Sequence, residues 1–197
     1  MTPLLETPPE RLLAAVRRLL AEKGIAGPGE IAERVRATDQ ATPERGAGAV
    51  ARAWLDPGFR ALLLRDGTAA VEAMGIPMRG LPPLGVLENA PGLHHLVVCT
   101  LCSCYPRAVL GYPPLWFKSA AYRARAVRDP RGTLAEWGTV LPEGTRVRVV
   151  DSTADYRWMV LPLRPAGTEG WDEARLAALV REGDMIGVTV PAAPGAA

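Results

Sequence analysis

The sequence predicts an α+β fold, with helices first and a small sheet-bearing part after them. Three observations carry that prediction. Apolar residues recur at helical spacing from Leu12 to Met74, a proline-rich stretch without periodicity runs from Pro77 to Pro83, and short β-favouring runs follow it.

The elements follow in order. Leu12, Leu13, Val16, Leu19 and Leu20 fall on one helical face, with Pro8 and Pro9 at the start and Gly24 as the stop. A short second helix follows Pro28 and carries Ile31 and Val35; a polar run through Asp39, Gln40 and Thr42 ends it. Thr42-Pro43-Glu44 is a cap with proline at the first helical position, opening a helix through Val50, Ala51 and Trp54. Asp56-Pro57 repeats the device before Phe59, Leu62, Leu63 and Leu64, and a further piece from Thr68 to Met74 ends at Gly75. Pro77 to Pro83 is predicted to be a hinge. Beyond it, Val86-Leu87-Glu88 and Leu96-Val97-Val98 are short strand candidates. Arg146 to Val150 alternates like a half-buried strand, and Tyr156 to Leu161 is a second β-favouring run. The short turn Asp151 to Asp155 between them predicts a hairpin. Trp171 to Val180 reads as a capped helix with Asp172 and Glu173 in its first turn, and Ile186 to Val190 as a last strand. The predicted organisation is a helical N-terminal arm, 1–42, and a domain, 43–197, with a helical part, 43–76, and a sheet-bearing part, 84–191. The arm is either an ordinary helical hairpin packed on its own domain or a piece that lies on a partner subunit.

Composition bounds the function. The chain has 197 residues, 23 basic against 21 acidic groups and a net charge of +2, so bulk electrostatics points to neither nucleic acid nor an anionic membrane. No apolar run approaches the roughly 20 residues needed to span a bilayer. The start of the chain lacks the charged and apolar regions of a secretory signal, so a cytoplasmic, reducing location is expected.

All three cysteines lie in Cys99-Thr100-Leu101-Cys102-Ser103-Cys104, directly after a strand candidate and before Tyr105-Pro106. Thiols at i, i+3 and i+5 of a tight loop can converge on one metal ion. The backbone amides of Ser103 and Cys104 fall inside the same ring; once deprotonated, they bring the donor set to five and leave one position open, as a catalytic metal needs. Three other readings stand beside this one: a disulfide with one thiol left over, a structural zinc completed by His94 or His95, and inert buried cysteines. The two histidines are adjacent, so on a strand they face opposite sides.

Val98 to Pro106 resembles the metal-binding motif of nitrile hydratase α subunits. The likeness continues through Val109-Leu110-Gly111, Pro113-Pro114, Trp116-Phe117-Lys118-Ser119, Tyr122-Arg123-Ala124-Arg125, Val160-Leu161-Pro162, Arg164 to Trp171 and Asp184-Met185-Ile186-Gly187, and covers roughly Arg52 to Pro191. The resemblance implies a nitrile hydratase α-like fold and a lyase that hydrates a nitrile to its amide. It implies a low-spin trivalent metal on the sulfurs of Cys99, Cys102 and Cys104 and the amides of Ser103 and Cys104. Cys102 becomes a sulfinic acid and Cys104 a sulfenic acid. Thr100 and Tyr105 follow the cobalt pattern rather than the iron one, so Co(III) is expected. Ser103 and Cys104 are the catalytic positions. The nucleophile is either the Cys104 sulfenate oxygen or a metal-activated water. Tyr105, Arg107, Asp151 and Arg157 surround the site or its pocket. A β subunit, as one chain or split, and a metal-loading activator are the implied partners.

Two departures bear on the substrate. Most family members carry Trp where this chain has Arg107, and a pocket-lining glutamine of some members falls at about Gly80. A cation in place of an apolar wall favours a polar, bulky or anionic substrate, such as a heterocyclic or nucleoside nitrile like toyocamycin. Arg107 also resembles thiocyanate hydrolase, which makes its metal subunit the alternative; a zinc-binding structural or assembly protein is the alternative from another class.

Overall fold

The computed structural model describes residues 7–192 and Gly195. The chain divides into two compact units, Met1–Gln40 and Ala41–Ala197. The first unit holds helices α1 (Pro9–Glu22) and α2 (Pro28–Asp39), each with proline at its start as the sequence predicts. Neither helix buries a residue.

The second unit opens with α3 (Pro43–Leu55), α4 (Pro57–Arg65) and α5 (Gly67–Glu72). Thr42 stands at the N-cap of α3 but makes no side-chain cap bond. Asp56 does cap α4, accepting from the amides of Gly58 at 2.8 Å and Phe59 at 3.0 Å. Helix α3 turns a face of small residues, Gly46, Ala47, Ala49, Val50 and Ala53, to the core. A Cβ at Gly46 would stand 2.5 Å from Leu110 and 2.7 Å from the Met185 sulfur, so a larger residue there would push those side-chain ends aside.

Strands β1 (Leu84–Glu88) and β2 (Leu93–Val98) follow. Helices α6 (Arg107–Leu110), α7 (Leu115–Lys118), α8 (Ala120–Arg128) and α9 (Pro130–Glu136) lead to β3 (Arg146–Asp151) and β4 (Arg157–Leu161), and α10 (Glu173–Ala177) and α11 (Glu182–Ile186) complete the order. Helices α8 and α9 were not anticipated, although Ser119 and Asp129 cap them through the amides of Tyr122 and Gly132.

The predicted hairpin does not form. β4 pairs in parallel with β1, Leu84 opposite Arg157, and β3 pairs in parallel with β2, Val98 opposite Asp151. The amide of Ser152 still bonds to the Val98 carbonyl at 2.7 Å, and the chain then crosses from one sheet to the other. Met159, Val160 and Leu161 are fully buried, which is the continuous burial of a covered parallel strand rather than the one-sided burial of a surface hairpin.

Two further expectations are corrected. Ile186 to Val190 is not a strand. Ile186 closes α11, and Gly187 follows at φ 85°, which ends the helix and excludes extended pairing. Pro77 to Pro83 is not a hinge between bodies. Val50 and Leu63 before it share one buried cluster with Leu96 and Met159 after it.

This topology positions the site. The carboxyl end of the β2/β3 pair carries the cysteine loop and Asp151, and the amino end of the β1/β4 pair carries Leu84 and Arg157. The turn from β3 to β4 brings these two ends together.

Candidate metal centre

Cys99 leaves the end of β2 buried, and Cys104 is buried where the loop re-enters the core; Cys102 between them is exposed. The Cys102 sulfur lies 3.6 Å from that of Cys99 and 3.3 Å from that of Cys104, and all three sulfurs fall within 4.8 Å of one another. The backbone amide of Cys102 donates to the Cys99 sulfur at 3.3 Å. Hydrogen bonding from the Cys104 side chain, helped by the backbone amides of Ser103 and Cys104, holds the Cys102 thiol below its ordinary range. Burial pushes the Cys104 thiol up to about 12, against the pull of the Arg157 charge. Three sulfurs within 4.8 Å of one another, with the Ser103 and Cys104 amides bonded to the Cys102 sulfur, fit a soft, thiolate-rich metal site.

The loop ends on anchored residues. Asp151 accepts from the Thr100 amide at 3.0 Å and its hydroxyl at 2.5 Å. Tyr105 is buried, and its hydroxyl donates to Glu182 at 2.6 Å while its ring meets Phe117 edge-on at 4.9 Å. Burial raises the pKa of both Tyr105 and Glu182. Glu182 gave no sequence signal; the structure places it in the first turn of α11.

A pocket of about 360 Å³ opens beside Cys102 and Cys104. Cys102, Ser103, Cys104, Tyr105, Arg107 and Arg157 line its polar side, and Met78, Leu81 and Leu84 its apolar side. Gly80, where a lining side chain was in question, is not among the lining residues; its neighbours Met78 and Leu81 are. Arg107 is exposed at the start of α6, with its guanidinium 5.9 Å from the Tyr112 ring centroid. The Nη1 of Arg157 is buried without a hydrogen-bond partner among the described residues. Six loop and strand residues named from sequence, Cys99, Cys102, Ser103, Cys104, Tyr105 and Arg157, thus come together, with Arg107 at the pocket and Asp151 behind the loop.

The histidines do not join them. His94 bonds through Nε2 to the Gly187 carbonyl at 2.7 Å and through Nδ1 to the Asn89 Nδ2 at 3.2 Å, and the Asn89 side-chain Oδ1 accepts from the His95 amide at 2.8 Å. Burial lowers the pKa of both rings. A zinc site completed by histidine is therefore not formed: among the described residues, the metal-competent group is the three cysteines alone.

A family model described as nitrile hydratase, alpha chain, matches residues 7–189. The chain belongs to the nitrile hydratase α-chain family. It is 47% identical over 184 residues to the low-molecular-weight cobalt-containing nitrile hydratase subunit alpha of Rhodococcus rhodochrous, covering 93% of this chain and 89% of that one. It is 43% identical to the thiocyanate hydrolase subunit gamma of Thiobacillus thioparus, over 92% of this chain and 79% of that one. Among solved structures, a double mutant of the Fe-type nitrile hydratase from Comamonas testosteroni Ni1 matches with a TM-score of 0.82 and 44% identity, over 95% of this chain and 92% of that chain. A recombinant thiocyanate hydrolase with partially modified cobalt centres matches with a TM-score of 0.86 and 42% identity, over 96% and 93%. The α+β architecture with its cysteine loop is thus the nitrile hydratase α-type fold.

Proposed function

We propose that this chain is the metal-bearing catalytic subunit of a cobalt nitrile hydratase that hydrates a polar nitrile to the amide. The observation that carries the reading is the convergence of three sulfurs, within 4.8 Å of one another, at the pocket lined by Arg107 and Arg157. Cys99, Cys102 and Cys104 hold the metal through sulfur, and Ser103 and Cys104 through their amides. When bound, a trivalent cobalt supplies the Lewis acidity that polarises a nitrile toward attack.

The chain's own residues do the rest. In oxygenated form, Cys102 and Cys104 would offer acceptors to the unpartnered Nη1 of Arg157, a charge-assisted contact that would keep the anionic oxygens facing the pocket. Cys104 and Ser103 form the floor on which the reacting carbon rests. Arg107 offers a cation to the far end of the substrate, and Met78, Leu81 and Leu84 exclude water along one side. Asp151 keeps Thr100, and with it the first turn of the loop, in place.

Cobalt is favoured over iron by Thr100 and Tyr105 and by the cobalt-containing relative. A β subunit is the expected partner. Leu12, Leu13, Val16 and Leu19 of α1 stay 40–51% exposed, which suits residues 1–42 as an arm that lies on that subunit. A metal-loading activator and a cytoplasmic location complete the proposal; no helix among the described residues is long and apolar enough to cross a membrane.

The test is to express the chain with cobalt and its β subunit, measure bound metal, and weigh the peptide that holds Cys99 to Cys104. Two added oxygens on Cys102 and one on Cys104, with amide formed from a nitrile, support the reading. Unmodified cysteines in cobalt-loaded, active enzyme overturn their oxidised state. A second reading, the metal subunit of a thiocyanate hydrolase, is favoured by Arg107 and the T. thioparus relative. Carbonyl sulfide and ammonia from thiocyanate, with no amide from nitriles, decide for it.

A further inference from the structure

The cysteine loop has little of its own to hold its shape. Residues 100–104 neither give nor accept a backbone–backbone hydrogen bond among the described residues. Leu101 is 85% exposed, so its side chain anchors nothing. The turn is held instead by charged groups on opposite sides. From the strand side, Asp151 takes the amide and hydroxyl of Thr100. From the helix side, Nη1 of Arg123 donates to the carbonyl of Thr100 at 3.2 Å and to that of Leu101 at 2.9 Å.

Arg123 is itself delivered to a fixed place. Ser119 caps α8 by accepting from the Tyr122 amide at 3.1 Å. The buried Tyr122 then donates its hydroxyl to the Val97 carbonyl at 2.7 Å, two residues before Cys99, and its ring meets Trp116 edge-on at 5.0 Å. One turn of α8 is thus bonded both to the end of β2 and to the loop that leaves it. The Nε of Arg123 is buried with no acceptor among the described residues, an unfavourable state that the loop contact must offset.

We propose that Arg123 is a positioning residue for the sulfur cluster. By holding the Thr100 and Leu101 carbonyls it presets the loop, so that the sulfurs of Cys99, Cys102 and Cys104 converge before metal arrives. This rests on the metal reading above. Arg123 touches no ligand atom; it acts through the backbone between the first two cysteines. Both of its bonds come from a single nitrogen, so a lysine ammonium, with three donors, can reproduce them.

The test uses the full-length chain in the complex with which it purifies, with cobalt as the probe and a chelator in competition. The variants are Arg123→Met, Arg123→Lys and, on the exposed side of the same helix, Arg125→Met. Cobalt retention, Tm and amide hydrogen exchange over residues 100–104 of the metal-free chain are measured. Arg123→Met is expected to weaken cobalt retention about 10–100-fold and to speed exchange in the loop, with Tm close to the parent. Arg123→Lys restores retention to within about threefold, and Arg125→Met changes neither loop exchange nor retention. Retention by Arg123→Met within about twofold of the parent overturns the proposal. So does a loss that tracks a fall in Tm and is not rescued by lysine. If the parent binds no cobalt, the metal reading fails on its own, and loop exchange alone decides: faster exchange in Arg123→Met upholds the clamp, and unchanged exchange overturns it.

Discussion

Strand β2 and the loop that follows it are neighbours in sequence and opposites in physics. From His94 to Val98 the strand is buried, paired along its length with β3, and both of its histidines are hydrogen-bonded through Asn89. From Thr100 to Cys102 the loop is exposed and held by side chains from elsewhere, Asp151 and Arg123. The difference separates chemistry from stability. The loop proposed to hold the metal exposes its middle cysteine, Cys102, between the buried Cys99 and Cys104, while the strand beneath buries nearly everything. A change in one is therefore expected to leave the other largely intact.

The largest effect is expected at the loop. Cys102→Ser removes an exposed sulfur, so cobalt is lost and nitrile hydration falls on the order of a thousandfold or more, while the Tm of the metal-free chain stays with the parent. Metal analysis and thermal melting of the same sample check both halves. Gly187→Ala is the reverse case. Its φ of 85° is strained for any Cβ, and that Cβ would stand 2.0 Å from the His95 carbonyl oxygen, so Tm should fall by roughly 10 °C. Folded protein at low temperature should still bind cobalt. A fall in metal-free Tm for Cys102→Ser as large as that for Gly187→Ala breaks the comparison.

Smaller effects sharpen it. Burial lowers the pKa of His94 from its ordinary value of 6.5, and that of His95 likewise, so below that pH the unfolded chain binds protons that the folded chain refuses. Stability is then full above the ordinary value and is lost as pH falls from it toward the lowered one. Melting curves taken across this window should show the loss, and His94→Gln should reduce its slope while lowering Tm at neutral pH. Least of all, Arg107→Trp should leave Tm and metal content unchanged and shift the ratio of kcat/KM for bulky polar over small nitriles by about tenfold. An unchanged ratio removes Arg107 from substrate selection.

Much of the helical half was legible because its signals are local. Asp56-Pro57 and Pro43 announce α4 and α3 within a few residues of each start. The same device at Asp129-Pro130 heads α9, yet went unread because the preceding helix α8 lacks an apolar stripe: Tyr122 and Ala126 are its only buried residues. Arg123 shares that obscurity, since an arginine on a charged helix looks like a solvated one until the end of β2 arrives beside it. The β3–β4 hairpin failed for the opposite reason. The turn was real, but each strand found a parallel partner far away in the chain.

By itself the sequence determined where capped helices such as α3 and α4 begin and that all three cysteines lie within six residues. Caps act within one turn, and sulfurs at i, i+3 and i+5 can converge once the chain between them turns tightly. Only the tertiary structure decided which strands pair, which sheet ends meet at the loop, and that Arg157, Asp151 and Arg123 reach it from three directions. Parallel pairing joins residues many positions apart, and a period of two along a strand fixes which face is buried but not which neighbour covers it.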